Sequence, residues 1–354
     1  MPGSRRARDD IRISNRATYW PVSPLDLVVA APLVARVLFR ASPVGRVVQA
    51  ATLGVYLASA LRDWHDRRGI RKIAFRHEFG ADLHHLVPMP REVREAEARL
   101  LAQRLSDELT LERIPRRELA VEVDRHLTRY IASVTGQHVR SSTEVRGATL
   151  VGLAFPFALG ACDMLSGDVA IFRDTGLLEA HIIAHEFSHR KGYWKELYAQ
   201  VLGYLALVTS GEPVLRQSAR LERLHRNLRV LAGDDRAAFD RLVTRAPLRP
   251  ELRALLMKLR APLTGVERQI EGAMRTLYHL RMRATGQTGI SDYDLGFVTK
   301  NKIVDPVIAN AAFSIAENSV SMIIDGRPFV GQAPILYKAK LAKIGRGKLT
   351  TGIK

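Results

Sequence analysis

The stretch of residues 174–207 constrains this chain most, because it places two histidines and an acid on a predicted helix. His185 and His189 are four residues apart, so both imidazoles project from one helical face and could bind one metal ion. Glu186 lies at the edge of that face, where its carboxylate could take a proton from a metal-bound water. The competing interpretation is an ordinary helix face with two satisfied histidines. Neighbouring Ile182 and Phe187 favour a packed helix, in which unpaired histidines would be costly.

A third protein ligand is expected, because catalytic zinc usually takes three and leaves one position open. Glu196 is the candidate, yet on an unbroken helix it would lie roughly 16 Å from His185 along the axis. The helix must therefore end between them, and Gly192 is where a chain most easily adopts a left-handed conformation. Ala199 and Gly203 then lie on the same side of the second helix and allow close approach. The alternative is a solvated first-turn acid favoured by the helix dipole.

The single cysteine, Cys162, excludes an internal disulfide and a thiolate zinc cluster, so histidine and carboxylate must supply the ligands. This donor set predicts Zn²⁺ at His185, His189 and Glu196, although it also suits non-haem Fe(II). His181 continues the same face and could hydrogen-bond to a side chain that binds the metal, line the pocket, or be a packed residue.

Periodicity predicts an α+β fold that is mostly helical, with a metal-binding helix pair and a small upstream sheet. Helical spacing covers residues 90–135, and helices dominate from 209 to about 285 with breaks at 233–235 and at two prolines, 247 and 250. Residues 148–157 and 168–172 resemble strands. The second strand could offer an open edge to an extended peptide, and the alternative is an edge covered by a loop.

The chain divides into four predicted parts. Residues 1–22 are charged and form a basic mobile arm, and residues 23–62 form an apolar helical segment. Residues 63–295 form the main domain, and residues 296–354 form a C-terminal extension with a basic tail. The apolar stretches 27–39 and 47–61 are shorter than the roughly 20 residues that span a bilayer. A membrane hairpin, an interfacial anchor and a buried helix pair therefore compete, and basic flanks favour a membrane surface with the domain on the cytoplasmic side. A soluble cytoplasmic protein is the alternative.

The formal charge of +18 would favour anionic partners. The basic residues are spread along helices and are not interleaved with aromatic side chains, so nucleic acid is not the expected partner. The expected partners are a peptide or protein substrate and a membrane surface. The sequence does not determine the oligomeric state.

The motif resembles that of zincin metallopeptidases, and within them a largely uncharacterised bacterial family of membrane-associated zincin-like proteins. That family's pattern is H-E-x-x-H-x-x-G-x-x-x-E-x-E-A-N, followed by an apolar helix. The matching residues are His185, Glu186, His189, Gly192, Glu196, Ala199 and, approximately, Gln200. The resemblance extends over about residues 90–295, and it implies two N-terminal membrane helices.

Two positions depart from the pattern. Tyr198 stands where the family often has a second acid, and Gln200 replaces Asn. The E-x-x-A-[DN] signature of membrane-embedded CAAX prenyl proteases, which supplies their third ligand, is similar to residues 196–200. If the second acid were the family's ligand, the assignment of Glu196 would fail.

These features predict zinc-dependent peptide hydrolysis, with Glu186 as the general base. A non-catalytic zincin-like scaffold at a membrane and a non-haem iron protein are the alternatives. Four side chains are candidates for the oxyanion donor and are not distinguished by spacing: Tyr193, Tyr198, His279 and Tyr293.

Overall fold

The computed structural model describes residues 10–13, 42–73, 86–88, 91–147, 159–163, 167–233, 235–259, 276, 297–299, 320–324 and 327–331. Its helices are α1 (Pro43–Arg67), α2 (Arg91–Asp107), α3 (Arg116–Thr135), α4 (Glu179–Arg190), α5 (Glu196–Val208), α6 (Pro213–Ala232), α7 (Arg236–Arg245) and α8 (Pro250–Leu259). Its strands are β1 (Asp10–Arg12), β2 (Leu86–Pro88), β3 (His138–Arg140), β4 (Arg146–Gly147), β5 (Gly160–Cys162), β6 (Val169–Ile171), β7 (Phe297–Thr299), β8 (Val320–Ile324) and β9 (Arg327–Gly331). The predicted α+β, mostly helical fold with a small upstream sheet is confirmed.

Helices α4 and α5 form the centre of the core, and α3 and α6 pack against both. Helix α3 buries one stripe of residues four apart, Leu119, Val123, Leu127 and Ile131, as an amphipathic helix should. Helix α5 is apolar around most of its circumference, so nearly all of it is buried. The predicted helix breaks are also present, because α6 ends at Ala232, α7 begins at Arg236 and α8 begins at Pro250.

The sheet beside α4 has three strands in the order β4-β6-β5, with β4 parallel and β5 antiparallel to β6. The predicted strand 168–172 is therefore present as β6, while the predicted strand 148–157 lies outside the described residues. The expectation that β6 has an open edge was wrong, because β6 is paired on both sides. Sequence periodicity identifies a strand but does not identify its neighbours.

Strand β5 lies at the edge of this sheet, within the described part of the chain. The N–H of Asp163 donates to the carbonyl of Asp168, and the N–H of Phe172 donates to the carbonyl of Leu159. Because antiparallel bonding alternates along a strand, the backbone groups of Cys162 point away from β6. Strand β5 packs on α4, the helix that carries His185 and His189.

Parts of the predicted arm and extension pair with the main domain. Residues 10–12 form β1, which pairs parallel with β3, and the side chains of Ile11 and Ile13 are buried. Residues 10–13 of the predicted mobile arm are therefore anchored to the main domain by these two isoleucines. Strand β7 pairs antiparallel with β2 and so joins the predicted extension to residues upstream of α2.

Helix α1 contains the second apolar stretch and continues to Arg67. Ser42 caps its first turn by accepting a hydrogen bond from the N–H of Gly45 at 3.2 Å, and Pro43 follows at the first helical position. The first apolar stretch, residues 27–39, lies outside the described residues. Among the helices that the structure describes, none combines the length and the apolar character needed to cross a bilayer.

Candidate metal centre

Helix α4 begins at Glu179 after a short 3₁₀ turn, Gly176–Leu178, and carries the two histidines into the core. Asp174 stabilises that turn, since its carboxylate accepts the N–H of Gly176 at 2.9 Å. Every residue of α4 after Glu179 is buried. The helix is thus rigid support for whatever its polar side chains bind.

The predicted reversal after α4 is present. The helix ends at Arg190, and Gly192 has a φ of +86°, in the left-handed region. Its N–H donates to the carbonyl of His189 at 2.8 Å, and the N–H of Tyr193 donates to the carbonyl of Ser188 at 3.0 Å. Helix α5 then begins at Glu196, which occupies its first turn as predicted.

The two helices approach each other closely where α5 has a glycine. A methyl group at Gly203 would lie 3.2 Å from the backbone nitrogen of His185 and 3.4 Å from the Cβ of Ala184. Ala199, one turn earlier, is fully buried. The small residues on α5 therefore allow its first turn to reach the histidines on α4.

Three ligand atoms converge between α4 and α5. The Nε2 atoms of His185 and His189 each lie 3.1 Å from Oε2 of Glu196, and they are 3.2 Å apart. Metal–ligand bonds of about 2.0–2.1 Å in a tetrahedral site separate neighbouring ligand atoms by roughly 3.3 Å. The spacing and the donor set both fit Zn²⁺. Among the described residues, these three are the one group of His, Cys, Asp or Glu side chains whose potential ligand atoms lie close enough together to hold a metal ion.

The surroundings hold His189 in the orientation that a metal ligand needs. Its Nδ1 lies 3.0 Å from the carbonyl of Tyr193, so Nδ1 carries the proton and Nε2 presents a lone pair. The indole of Trp194 lies nearly parallel to the imidazole, with ring centroids 6.3 Å apart. The residues that follow the reversal therefore fix one ligand's ring.

The electrostatics of the cluster follow from burial and close pairing. Burial would raise the pKa of Glu196, but the adjacent His189 and His185 outweigh it and lower that pKa well below its ordinary value. Burial would likewise lower the pKa of His189, but the Glu196 carboxylate outweighs it and raises that pKa. Glu196 is thus anionic at neutral pH, as a carboxylate that binds a metal ion must be.

Glu186 has the opposite tendency. Burial is the main cause that raises its pKa, and the nearby histidines oppose this only in part. The backbone N–H of Cys162, on the outer edge of β5, hydrogen-bonds to its carboxylate. A buried carboxylate with a raised pKa is suited to accept and return a proton.

Two buried cations directly after the histidines fix α4 to the upstream loops. The guanidinium of Arg190, fully buried, donates to the carbonyls of Gly167, Ser142 and Glu144 at 2.6–2.8 Å. The ammonium of Lys191, also fully buried, lies 2.7 Å from the carboxylate of Asp124.

His181 lies one turn before His185 but does not join the cluster. Its Nε2 lies 3.1 Å from the amide nitrogen of Gln200 and 3.7 Å from the carboxylate of Glu222. Burial lowers its pKa to about 4, so it is neutral at physiological pH. Of the interpretations of His181, a packed and hydrogen-bonded residue fits these contacts.

The candidate oxyanion donors differ in their surroundings. The hydroxyl of Tyr193 donates to the carbonyl of Arg71 at 3.2 Å, which directs it away from the cluster. Tyr198 is half-buried on α5, with the ammonium of Lys195 5.5 Å from its ring, and it stays a candidate. His279 and Tyr293 lie outside the described residues.

Three contributors to the site were not predicted from the sequence: the Cys162 N–H, the Tyr193 carbonyl and the indole of Trp194. The first two are backbone groups, which carry no residue-type signal. Trp194 lies between the reversal glycine and the third ligand, so its position close to the site is a signal that sequence reasoning could have used.

Comparison with known proteins gives a single partial similarity. Residues 176–298 match the model of a family described as proteins of unknown function, DUF3810. No curated protein and no solved structure matches the chain. The matched region includes the two histidines, the third acid and the general-base candidate, so this chain is similar to that family over the whole candidate metal centre.

Proposed function

We propose that this protein is a zinc-dependent peptidase. His185, His189 and Glu196 would hold the metal, and the observation that supports this most is the convergence of their three ligand atoms. When bound, zinc would polarise a substrate carbonyl and make a water molecule more acidic. Glu186 would take the proton of the attacking water and pass it to the leaving amine.

The surroundings of Glu186 favour hydrolysis over the alternatives. A scaffolding metal site needs no acid beside its ligands, yet Glu186 is buried with a raised pKa. Burying such a carboxylate costs stability, which argues for a chemical role. The other alternative, a non-haem iron protein, uses the same ligand types. Elemental analysis of aerobically and anaerobically purified protein distinguishes iron from zinc.

The outer edge of β5 supports an extended peptide as the substrate. Its backbone groups point away from β6, and the N–H of Cys162 reaches the Glu186 carboxylate. A peptide that added to this edge would run beside the general base. This orientation would present one carbonyl to the metal and the attacking water.

The test uses two substitutions on α4. Glu186→Gln should abolish hydrolysis of a peptide library while the protein still binds one zinc ion per chain. Glu179→Gln is the matched control, because Glu179 lies on the same helix and pairs with Arg116 on α3. Hydrolysis that persists in Glu186→Gln would reject the mechanism. Zinc that is bound by the wild type and lost in Glu196→Ala would support the ligand set.

We also propose that the protein works at a membrane surface on the cytoplasmic side. Helix α1 supports this, because its exposed face combines apolar and basic residues. Among the residues of α1 whose exposure is described, the exposed ones are Pro43, Val44, Arg46, Val47, Ala50, Ala51, Gly54, Leu57, Ala58, Leu61, Arg62, Trp64 and His65. The two acids of α1, Asp63 and Asp66, are buried or half-buried. An apolar face bordered by arginines suits the interface of an anionic bilayer.

Co-sedimentation with vesicles tests this location. The full-length protein should sediment with vesicles that contain anionic lipid, and binding should weaken in Leu61→Glu, which places a carboxylate on the apolar face. Glu112→Gln, on the exposed loop between α2 and α3, is a control that should bind as wild type does. Equal sedimentation of wild type and Leu61→Glu would contradict the role of α1.

A further inference from the structure

Arg67, the last residue of α1, is buried where α1 meets the end of α4. Its Nε donates to the carbonyl of Arg190 at 3.0 Å. Its terminal nitrogens, Nη1 and Nη2, are also buried, and neither has a hydrogen-bond partner in the described part of the chain. One N–H group of the guanidinium is therefore hydrogen-bonded, and the N–H groups on Nη1 and Nη2 have no acceptor among the described residues.

Within the described part of the chain, the charge of this guanidinium is compensated only in part. Burial lowers the pKa of Arg67, and groups farther away oppose the effect only in part. Those groups are Cys162, Asp63, Asp163 and Asp66. None of the carboxylates in the described residues is within ion-pair distance of the guanidinium. A buried cation with unpaired donors is expensive, and an oxyanion that accepted both N–H groups would remove that cost.

Arg67 is close to the candidate metal centre. Its guanidinium carbon lies 5.5 Å from the centroid of the Trp194 ring, and that ring lies 6.3 Å from the His189 imidazole. The two separations keep the guanidinium within about 12 Å of a metal ligand. Extended peptide spans roughly 3.5 Å per residue, so about three residues at most would join the two points.

We propose that Arg67 is a receptor for a carboxylate of a bound peptide. The planar guanidinium edge matches a carboxylate with two parallel hydrogen bonds. Trp194, which is half-buried, borders the site. The formal charge of +18 attracts acidic peptides to the protein in the first place.

The carboxylate comes either from an acidic side chain or from a peptide C-terminus. As a statement about substrate class, this inference rests on the proposed function, whereas binding of the carboxylate does not. Three peptides of equal length separate the sources. The first is blocked at both ends and has one central Glu, the second has Gln in its place, and the third is the Gln peptide with a free C-terminal carboxylate.

Binding to the full-length protein is measured by calorimetry and by tryptophan fluorescence, on protein as purified and again after treatment with a chelator. One of the two carboxylate peptides should bind at least about tenfold more tightly than the blocked Gln peptide, because a charge-assisted pair replaces idle donors. The preference should survive chelation, which distinguishes Arg67 from the metal as the carboxylate's partner. It also separates this inference from the proposed function, whose failure would appear as absence of bound zinc and of hydrolysis.

Substitution identifies the residue. Arg67→Met should erase the preference, and Arg67→Lys should retain only part of it, because an ammonium cannot present two parallel donors. Arg62→Met, an exposed arginine on the same helix, should leave the preference intact. Equal binding of the three peptides to wild type, absence of binding, or a preference unchanged in a folded Arg67→Met or Arg67→Lys protein would overturn the proposal. The wild-type comparison needs no variant, so it decides even if the substitutions unfold the chain.

Discussion

Replacing each of two mid-helix glycines by alanine tests how closely α4 and α5 approach each other. Gly54 lies on the exposed face of α1, where an added methyl group would meet nothing within 4 Å. Gly203 lies against α4, where the same methyl group would lie 3.2 Å from one backbone atom and 3.3 Å from another. The two Gly→Ala substitutions should therefore gain the same helix propensity and differ only in the packing around the added methyl group.

The expected magnitudes follow from these distances. Gly54→Ala should raise the free energy of unfolding by about 1 kcal/mol, the usual helix preference for alanine. At Gly203 the same gain is opposed by overpacking of about 1–3 kcal/mol, because ordinary contacts lie near 3.5–4.0 Å and helix backbone cannot rotate away. The net effect of Gly203→Ala should range from zero to about 2 kcal/mol of destabilisation.

Metal affinity supplies the second measurement. To accept the methyl group, α5 must move away from α4 by a few tenths of an ångström, and Glu196 moves with it. Metal sites tolerate about 0.2 Å of error in ligand distance, so the zinc Kd should rise roughly tenfold. Urea unfolding with chelator present gives the stability, and competition with a chromophoric chelator gives the Kd. If Gly203→Ala stabilises the protein as much as Gly54→Ala does and leaves the Kd unchanged, the argument from close approach is refuted.

Three further changes test other parts of the site. Arg190→Met should lower the free energy of unfolding by about 3–5 kcal/mol in urea, since it removes a buried guanidinium that donates to three backbone carbonyls. Gly192→Ala should cost about 1–2 kcal/mol, because alanine is strained at a φ of +86°, and it should weaken zinc binding measured by calorimetry. The folded-state pKa of His181, about 4, is below its unfolded value of about 6.5, so the unfolded chain binds more protons between these pH values. Stability should therefore fall by roughly 3 kcal/mol as the pH drops from 6.5 to 4, and chelator-treated His181→Asn should lose that part of the slope in urea titrations at several pH values.

Local spacing was sufficient to predict that the side chains of His185, His189 and Glu196 come together. The separation of His185 and His189 defines a helix face, and the distance to Glu196 requires the chain to reverse, which Gly192 permits. These are short-range constraints, so they can be derived from a few residues. The predicted strand at β6 was correct for the same reason.

Long-range pairing could not be derived in this way. Within the described residues, the edge strand is β5 and not β6, and β1 joins β3 across more than a hundred residues. Neither arrangement leaves a periodic signal in the sequence. Arg190 and Lys191 resemble surface residues by type, yet both are fully buried because acceptors from distant segments meet them. Arg67 lies far from the motif in sequence, and its proximity to the site depends on how α1 docks.

The two buried cations at the end of α4, Arg190 and Lys191, connect the candidate metal centre to the upstream part of the domain. Arg190 and Lys191 draw their acceptors from residues 124–167, so local opening of that upstream segment would leave two charges unpaired at the end of α4. The same opening would free the chain reversal that carries Glu196. Zinc binding should therefore be lost together with tertiary structure in a single transition, and a hydrogen-exchange experiment would find the ligand helix and the upstream segment opening as one cooperative unit.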